Sequence, residues 1–312
     1  MAQSRFGALR SDIMLLVTAL IWGSAFVAQD IGADYLPPFS FNTIRLFVGG
    51  IVLLPVILLS DRLGIGRKPQ SAKGRRDLLI GGVLCGLCLS AASNLQQIGI
   101  NADTSAGKAG FITAMYIVLV PVISLFLGKK SSAEIWISIA IAAVGLYLLC
   151  VKQGFSVEIG DIFLMLCALC YAFHILIVGH FSKITDGVRL SCLQFFLAGL
   201  SGLPFLLMEA PAVSAVFDAK WSILYAGVMS CGVGYTLQIL AQRRADPTVA
   251  SLLMSMESAF SVLIGWIILG EALTARELIG CALILCAVVL SQLPPTVWGR
   301  LFPRRKEKTD EQ

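Results

Sequence analysis

Ten apolar segments, each about as long as a lipid bilayer is thick, constrain the fold of this chain more than any other feature. The segments lie at about residues 13–29, 39–59, 78–98, 107–127, 134–151, 159–180, 190–208, 221–241, 248–269 and 278–293. A helix needs about 20 apolar residues to cross the hydrocarbon core of a membrane. The loops between the segments are short, so none can form a separate domain. The sequence therefore predicts an all-α, polytopic membrane protein with ten transmembrane helices.

The amino-acid composition is not that of an ordinary soluble protein. Hydrophobic residues make up 57% of the chain and charged residues 14%, whereas a soluble protein carries about 25% charged residues. The net charge of +5 is not a nucleic-acid signature, because the basic residues are concentrated in the loops between the apolar segments. We expect a lipid bilayer and a small-molecule substrate as partners, and no nucleic acid.

The distribution of the basic residues predicts how the chain is oriented. If the N-terminus is cytoplasmic, 19 of the 24 Lys and Arg residues fall on the cytoplasmic side. The positive-inside rule favours this orientation, because the cytoplasmic loops of membrane proteins are rich in Lys and Arg. We therefore predict a multi-pass protein of the inner (plasma) membrane, with a cytoplasmic N-terminus at residues 1–12 and a basic cytoplasmic tail at residues 294–312.

The two halves of the chain are related by an internal repeat. Residues 12–26 (DIMLLVTALIWGSAF) align with residues 161–175 (DIFLMLCALCYAFHI). Matching pairs follow downstream, namely Gly50 and Gly199, Pro55 and Pro204, Leu95-Gln96 and Leu237-Gln238, and Leu127-Gly128 and Leu269-Gly270. Because each repeat, at 13–151 and 160–293, contains five spans, the second copy enters the membrane inverted. Inverted repeats are typical of secondary transporters, whose substrates bind near the membrane midplane between the copies.

Four short motifs lie in order along the chain. They are Trp22-Gly23-Ser24, Pro37-Pro38-Phe39 ahead of Arg45, Phe111-Ile112-Thr113 with Tyr116 and Pro121, and Glu257 with Leu269-Gly270-Glu271-Ala272-Leu273-Thr274. Together they resemble the EamA-like family of the drug/metabolite transporter superfamily. The resemblance implies a basket of ten helices that exports or exchanges a small metabolite, with an amino acid or related compound as the expected class. Members of that family often have Glu-Pro in the ninth span, whereas this chain has Glu257-Ser258 and lacks that helix-breaking proline.

One carboxylate, Glu257, lies inside the ninth span. A charge at that depth costs about 2.5–3.5 kcal/mol on insertion scales, so it needs a partner, a proton or a water-filled cavity. We interpret Glu257 as a candidate for proton coupling or for binding a substrate amine, since a buried carboxylate can exchange a proton near neutral pH. The alternative is a structural carboxylate bonded to a neighbouring helix. Met254, one turn earlier, is predicted to line the same cavity, with close helix packing as its alternative.

Further polar side chains inside the spans are candidates for substrate binding. Arg45 lies about two turns into the second span, and the repeat aligns it with Gln194. A guanidinium there can bind a substrate carboxylate, or it can extend to the membrane surface instead. Asn94 in the third span, and Tyr235 and Gln238 in the eighth, are predicted to face each other across a central cavity. Their alternative is interhelical hydrogen bonding, worth about 0.6 kcal/mol per bond.

Aromatic side chains lie midway along the spans, away from the interfaces where Trp and Tyr usually collect. Trp22 and Tyr171 occupy matching repeat positions, and His174 follows Tyr171 by one turn. Thr113 and Tyr116 share one face of the fourth span. These positions suit stacking or cation–π contact with an organic substrate, and core packing is the alternative.

The sequence has no arrangement typical of an enzyme. Its nine cysteines lie almost entirely within apolar segments, where a thiol behaves as a small hydrophobic group. Two cysteine pairs have CxxC spacing, but no histidine or further cysteine clusters with them. We therefore predict a transporter with no catalytic residue, no metal and no cofactor. The alternative cargoes are nucleotide-sugars, lipid-linked carriers or drugs, and the alternative class is a non-transporting receptor or an enzyme. The sequence leaves a homodimer open.

Overall fold

The computed structural model describes residues 2–102, 106–151, 158–269, 274–293 and 297–298. Within these ranges the chain is all-helical, without strands. Glu271, which ends the ninth apolar segment in the sequence, and most of the basic tail at 294–312 lie outside the described residues.

The first half of the chain forms the helices of five spans. They are α1 (Ala2–Ala33), α2 (Pro38–Arg62), α3 (Ala72–Asn101), α4 (Ala106–Ala114) with α5 (Tyr116–Phe126), and α6 (Ala133–Cys150). Ser71 caps α3, where its side chain accepts a hydrogen bond from the backbone N–H of Gly74. This arrangement satisfies one of the backbone donors that a helix N-terminus leaves free.

The second half forms five further spans. They are α7 (Ile159–Ile184), α8 (Gly187–Glu209), a span made of α10 (Lys220–Leu224), a π-helix (Tyr225–Tyr235) and α11 (Thr236–Gln242), a span made of α12 (Pro247–Met254) and α13 (Met256–Leu269), and α14 (Ala275–Gln292); the short helix α9 (Val213–Asp218) precedes α10. Among the described residues, nine spans are long and apolar enough to cross a membrane, and Ala133–Leu149 is a shorter apolar helix. The predicted all-α fold of ten membrane helices is confirmed.

Helices of one repeat pack against helices of the other in a two-fold pattern. The second and seventh spans, α2 and α8, pack along each other, as do the fifth and tenth, α6 and α14. The third span lies on the sixth, and correspondingly the first span lies on the π-helix and α11 of the eighth. Each contact between a span of the first repeat and a span of the second therefore has a counterpart in which the two repeats change roles. This pattern is that of an inverted repeat.

Close approach of small residues fixes one of these pairs. A Cβ atom on Gly145 of α6 would lie 2.9 Å from the carbonyl oxygen of Gly280 in α14, and a Cβ on Gly280 would lie 2.7 Å from the carbonyl oxygen of Gly145. Small residues let membrane helices approach this closely. Large apolar side chains such as Phe126 and Met208 are instead exposed on the outside, where a bilayer would solvate them.

The fourth and ninth spans are both interrupted near their centres. The fourth span breaks at Met115, between α4 and α5, and the ninth breaks at Ser255, between α12 and α13. At Ser255 the hydroxyl donates to the carbonyl of Leu252 at 2.7 Å, a local bond that competes with regular helix geometry. The ninth span is therefore broken without a proline after Glu257.

Candidate functional site

A cavity lies between the two repeats and receives side chains from both interrupted spans. Nine of the side chains predicted for a site line it, namely Trp22, Arg45, Thr113, Tyr116, Tyr171, His174, Tyr235, Gln238 and Glu257. The cavity volume is about 40 Å³, which is room for a few water molecules. It must therefore widen before it can hold an organic solute.

Tyr116 and Glu257 join the two interrupted spans at the cavity. Tyr116 is the first residue of α5, and Glu257 lies in the first turn of α13. The Tyr116 hydroxyl donates a hydrogen bond to Oε1 of Glu257 at 2.9 Å, and both side chains are buried. The N-terminal end of a helix carries a partial positive charge, so the start of α13 favours a carboxylate there. The helix breaks thus place an ionisable group in the middle of the protein.

Gly23 holds α1 close to this carboxylate. A Cβ atom on Gly23 would lie 2.7 Å from the backbone carbonyl oxygen of Glu257. The neighbouring Trp22 consequently lines the same cavity as the Glu257 side chain. Glycine in the first span is therefore needed for the approach of two helices that come from different repeats.

Arg45 lies inside the protein and not at its surface. Its side chain is 4% exposed, and its buried Nε has no hydrogen-bond partner among the described residues. The guanidinium carbon lies 5.6 Å from the ring centroid of Phe41, one turn earlier in α2. A cation–π contact of this kind offsets part of the cost of burying a cation. Arg45 thus brings a buried positive charge to the cavity.

Aromatic rings form one wall of the cavity around Tyr235. The ring of Trp22 lies 4.5 Å from that of Tyr235, centroid to centroid, and the His174 ring lies 5.8 Å away at an edge-on angle. The Tyr235 hydroxyl donates to the Tyr171 hydroxyl at 3.4 Å. The Trp22 indole N–H donates to the carbonyl oxygen of Ser230, in the π-helix, at 3.4 Å. An organic solute would meet flat, polarisable surfaces on this side.

Two predicted cavity residues lie elsewhere in the structure. The Asn94 side chain accepts a hydrogen bond from Asn42 Nδ2 at 3.1 Å, and its own amide lies 3.4 Å from Ser90 Oγ. The Asn94 side chain therefore takes part in the contact between α3 and α2 and does not line the cavity. Met254 is fully buried in an apolar cluster with Ile117 and Val120, because its side chain points into the packing between spans. Neither residue is among those that line this cavity.

Sequence reasoning missed several residues that line the cavity. Gln96 and Gln29 are the polar ones, and Ala25, Phe26, Ile175 and Ser230 complete the wall. A signal for Gln96 was present, because the repeat aligns it with Gln238. The prediction of Asn94 placed the wrong face of α3 toward the cavity, whereas the repeat indicated Gln96.

The cavity thus combines a carboxylate, a guanidinium, amides and aromatic rings. Among the described residues, no group of three or more His, Cys, Asp or Glu side chains is placed to hold a metal ion. Groups of this kind bind a polar organic molecule by charge, hydrogen bonding and stacking. The structure places these groups together around one cavity at the junction of the two halves of the chain.

Comparisons with known proteins agree with this fold. An uncharacterized transporter of Archaeoglobus fulgidus is 30% identical over 286 residues, which cover 91% of this chain and 86% of that protein. The uncharacterized inner membrane transporter YedA of Escherichia coli K12 is 22% identical, covering 93% and 92%. A solved crystal structure is 18% identical with a TM-score of 0.74, covering 94% of this chain and 98% of that one. The EamA-like transporter family model matches residues 9–151 and 158–293. This chain is a multi-pass membrane protein and belongs to the EamA-like transporter family.

Proposed function

We propose that this protein is a secondary transporter of a small organic metabolite, such as an amino acid or a related compound, and that it works as an exporter or exchanger. The observation that carries the proposal is the cavity between the repeats, where Tyr116 and Glu257 meet at two broken helices. Interrupted helices at a repeat interface provide the binding sites of many secondary transporters. Alternate opening of the two repeats would expose such a site to each side of the membrane in turn.

The dimensions of the cavity support a small cargo. A small metabolite requires the cavity, at about 40 Å³, to widen less than a larger cargo would. A nucleotide-sugar would require a much larger rearrangement. The residues that would contact the substrate are Trp22, Tyr171, Tyr235, Gln238, Gln96 and Thr113.

Glu257 is the proposed coupling residue. It is buried, it faces the cavity, and its described hydrogen-bond partner is the neutral Tyr116 hydroxyl. A carboxylate in this setting can bind a proton on one side of the membrane and release it on the other. Proton binding at Glu257 would then link the proton gradient to substrate movement.

The orientation completes the proposal. With both termini in the cytoplasm, most Lys and Arg residues face the cytoplasmic side, in agreement with the positive-inside rule. The inner membrane is the proposed location, since the relative YedA is named an inner membrane transporter.

Reconstituted protein tests the function. We would measure the flux of a panel of radiolabelled amino acids and related metabolites into proteoliposomes, with and without a pH gradient. We expect at least one compound to exchange, and its flux to rise when the gradient is imposed. In Glu257→Gln the stimulation of flux by the pH gradient should fall at least about tenfold, because an amide side chain does not take up or release a proton near neutral pH. Substrate exchange without a gradient should persist.

Glu134→Gln is the matched control, because Glu134 lies in the first turn of α6 and outside the cavity. Its gradient-driven flux should equal that of the wild type. Wild-type stimulation in Glu257→Gln would remove Glu257 from coupling. A panel in which no compound crosses the membrane would contradict the proposed cargo.

A further inference from the structure

The two repeats differ at two matching pairs of positions at and beside the cavity. The repeat offset that aligns Trp22 with Tyr171 also aligns Ala25 with His174 and Arg45 with Gln194. In the second repeat, His174 Nε2 lies 3.0 Å from Gln194 Oε1, so these two side chains bond to each other. At the matching positions the first repeat has the methyl group of Ala25 and the guanidinium of Arg45, both of which line the cavity. A methyl group cannot form the corresponding hydrogen bond, so the first repeat lacks this internal pair.

The Arg45 guanidinium is buried with one of its donors, Nε, unpartnered among the described residues. Arg45 is 4% exposed, its Nε is without a hydrogen-bond partner among the described residues, and it lines the cavity together with Ala25. A buried charge without a partner is costly, and proteins normally pair buried charges. Arg45 is the one Lys or Arg among the described residues that line this cavity. A ligand with one negative charge would supply the missing partner.

We infer that Arg45 is the anion-binding residue of the transport site, that Ala25 leaves the room for the anion, and that the cargo is an organic compound with a single carboxylate. This inference rests on the proposed transport function and names the chemical feature of the cargo. A guanidinium binds a carboxylate through two parallel N–H···O bonds. When Glu257 is protonated, the single cation of the described cavity lining neutralises a monoanion but not a phosphate monoester with nearly two charges.

The second charged residue of the cavity comes from the other repeat. Glu257 aligns with Met115, so the first repeat supplies the cation and the second repeat the carboxylate. A cargo that also carries an amine could place it toward Glu257, but the carboxylate is the group that the site recognises. A simple acid should therefore bind, and the corresponding amide or amine should bind much more weakly.

Binding to purified protein in detergent tests this inference without any flux measurement. We would measure thermal unfolding with two matched sets of probes, namely 3-phenylpropanoate, 3-phenylpropanamide and 3-phenylpropylamine, and butanoate, butanamide and butylamine. Ligands that bind the folded state raise its unfolding temperature, and the stabilisation grows with the logarithm of the ratio of ligand concentration to Kd. We expect an acid to stabilise the wild type, with its amide and amine giving at least about a tenfold weaker affinity.

Variants copied from the second repeat separate charge recognition from folding. Arg45→Gln should weaken binding of the acid at least about tenfold. The double variant Ala25→His with Arg45→Gln rebuilds the His174–Gln194 pair in the first repeat, so it should fold and fail to bind the acid. Arg45→Lys keeps the charge but not the paired hydrogen bonds, and should bind with intermediate affinity. Arg62→Gln, the same change at the exposed end of α2, is the control and should bind as the wild type.

The outcomes distinguish this inference from the proposed function. Acid binding that is lost in Arg45→Gln and kept in Arg62→Gln supports the inference, even in a protein that shows no flux. Equal stabilisation by the acid and its amide or amine overturns it, as does full acid binding in Arg45→Gln. A wild type that neither acid stabilises overturns it as well. Flux of a cargo without a carboxylate would leave the transport function standing and remove the inference.

Discussion

Two clusters of polar side chains lie inside this protein, and they differ in how their hydrogen-bonding groups are used. On α2 and α3, Asn42 donates to Asn94 and to the backbone carbonyl of Ser93, and Asn94 in turn lies against Ser90. In the cavity, Glu257 has one described hydroxyl partner, and Arg45 Nε has none. The α2–α3 cluster uses its amide donors across a helix interface, although Asn42 Oδ1 has no partner among the described residues. The cavity cluster keeps unused hydrogen-bonding capacity and faces open space.

The difference teaches that polarity within a span does not identify a transport site. A polar side chain in a membrane helix can be satisfied by the neighbouring helix, and then it contributes to assembly. It contributes to binding only where the neighbouring helix leaves a space. The two clusters should therefore respond differently to mutation, with flux affected in one and stability in the other.

Removal of the Tyr116 hydroxyl should have the largest effect on transport. In Tyr116→Phe the hydrogen bond to the Glu257 carboxylate is lost, and such a bond to a charged group is worth about 1.5–3 kcal/mol. We expect gradient-driven flux per folded molecule to fall about tenfold or more, and the unfolding temperature to fall as well, because a buried acceptor loses its partner. Tyr147→Phe on the exposed face of α6 is the control. Normal flux in Tyr116→Phe would mean that the cavity cluster does not act in coupling.

Gln96→Leu should have a several-fold effect on substrate affinity. Gln96 lines the cavity, and a hydrogen bond from a neutral amide is worth about 0.5–1.5 kcal/mol. We expect the KM for transport to rise about two- to tenfold. The neighbouring Gln97→Leu is the matched comparison, because Gln97 donates to Asn101 at 3.2 Å and does not line the cavity. A larger change in KM for Gln97→Leu than for Gln96→Leu would contradict the assignment of the α3 faces.

Asn94→Leu should change stability and leave the KM unchanged. The substitution leaves the Asn42 amide without its side-chain acceptor, and interhelical hydrogen bonds in membranes are worth about 0.6 kcal/mol. We expect a lower unfolding temperature in detergent. Asn42→Leu combined with Asn94→Leu should recover part of the loss, because both unsatisfied groups are removed together. A raised KM in the folded Asn94→Leu protein would return this residue to the transport site.

Met254→Leu should have the smallest effect. Met254 is fully buried in an apolar cluster, and exchanges of Met and Leu of similar volume usually cost less than about 1.5 kcal/mol. Flux per folded molecule should match the wild type in the same proteoliposome measurement. A change in which compounds are transported would show that Met254 contacts the cargo after all.

The sequence predicted much of the cavity lining. Glu257 was identified because a charged side chain at mid-membrane is costly without a partner, a proton or a cavity, and Trp22 and Tyr171 because aromatic rings usually collect at the interfaces instead. Asn94 and Met254 were also expected at the cavity but do not line it. Amides serve helix packing as well as binding, and the closeness of Met254 to Glu257 along the chain does not say which side of the helix faces the cavity.

By itself the sequence determined that the chain crosses a membrane ten times and contains an inverted repeat. These properties follow from segment length, apolarity and the odd number of spans per repeat, all of which are local or additive along the chain. Only the tertiary structure decided where the fourth and ninth spans break, that Tyr116 bonds to Glu257, and that Arg45 is buried at the cavity with its Nε unpartnered among the described residues. Those features depend on which helices meet and how closely they approach, because a hydrogen bond or an empty space is a property of two surfaces in contact.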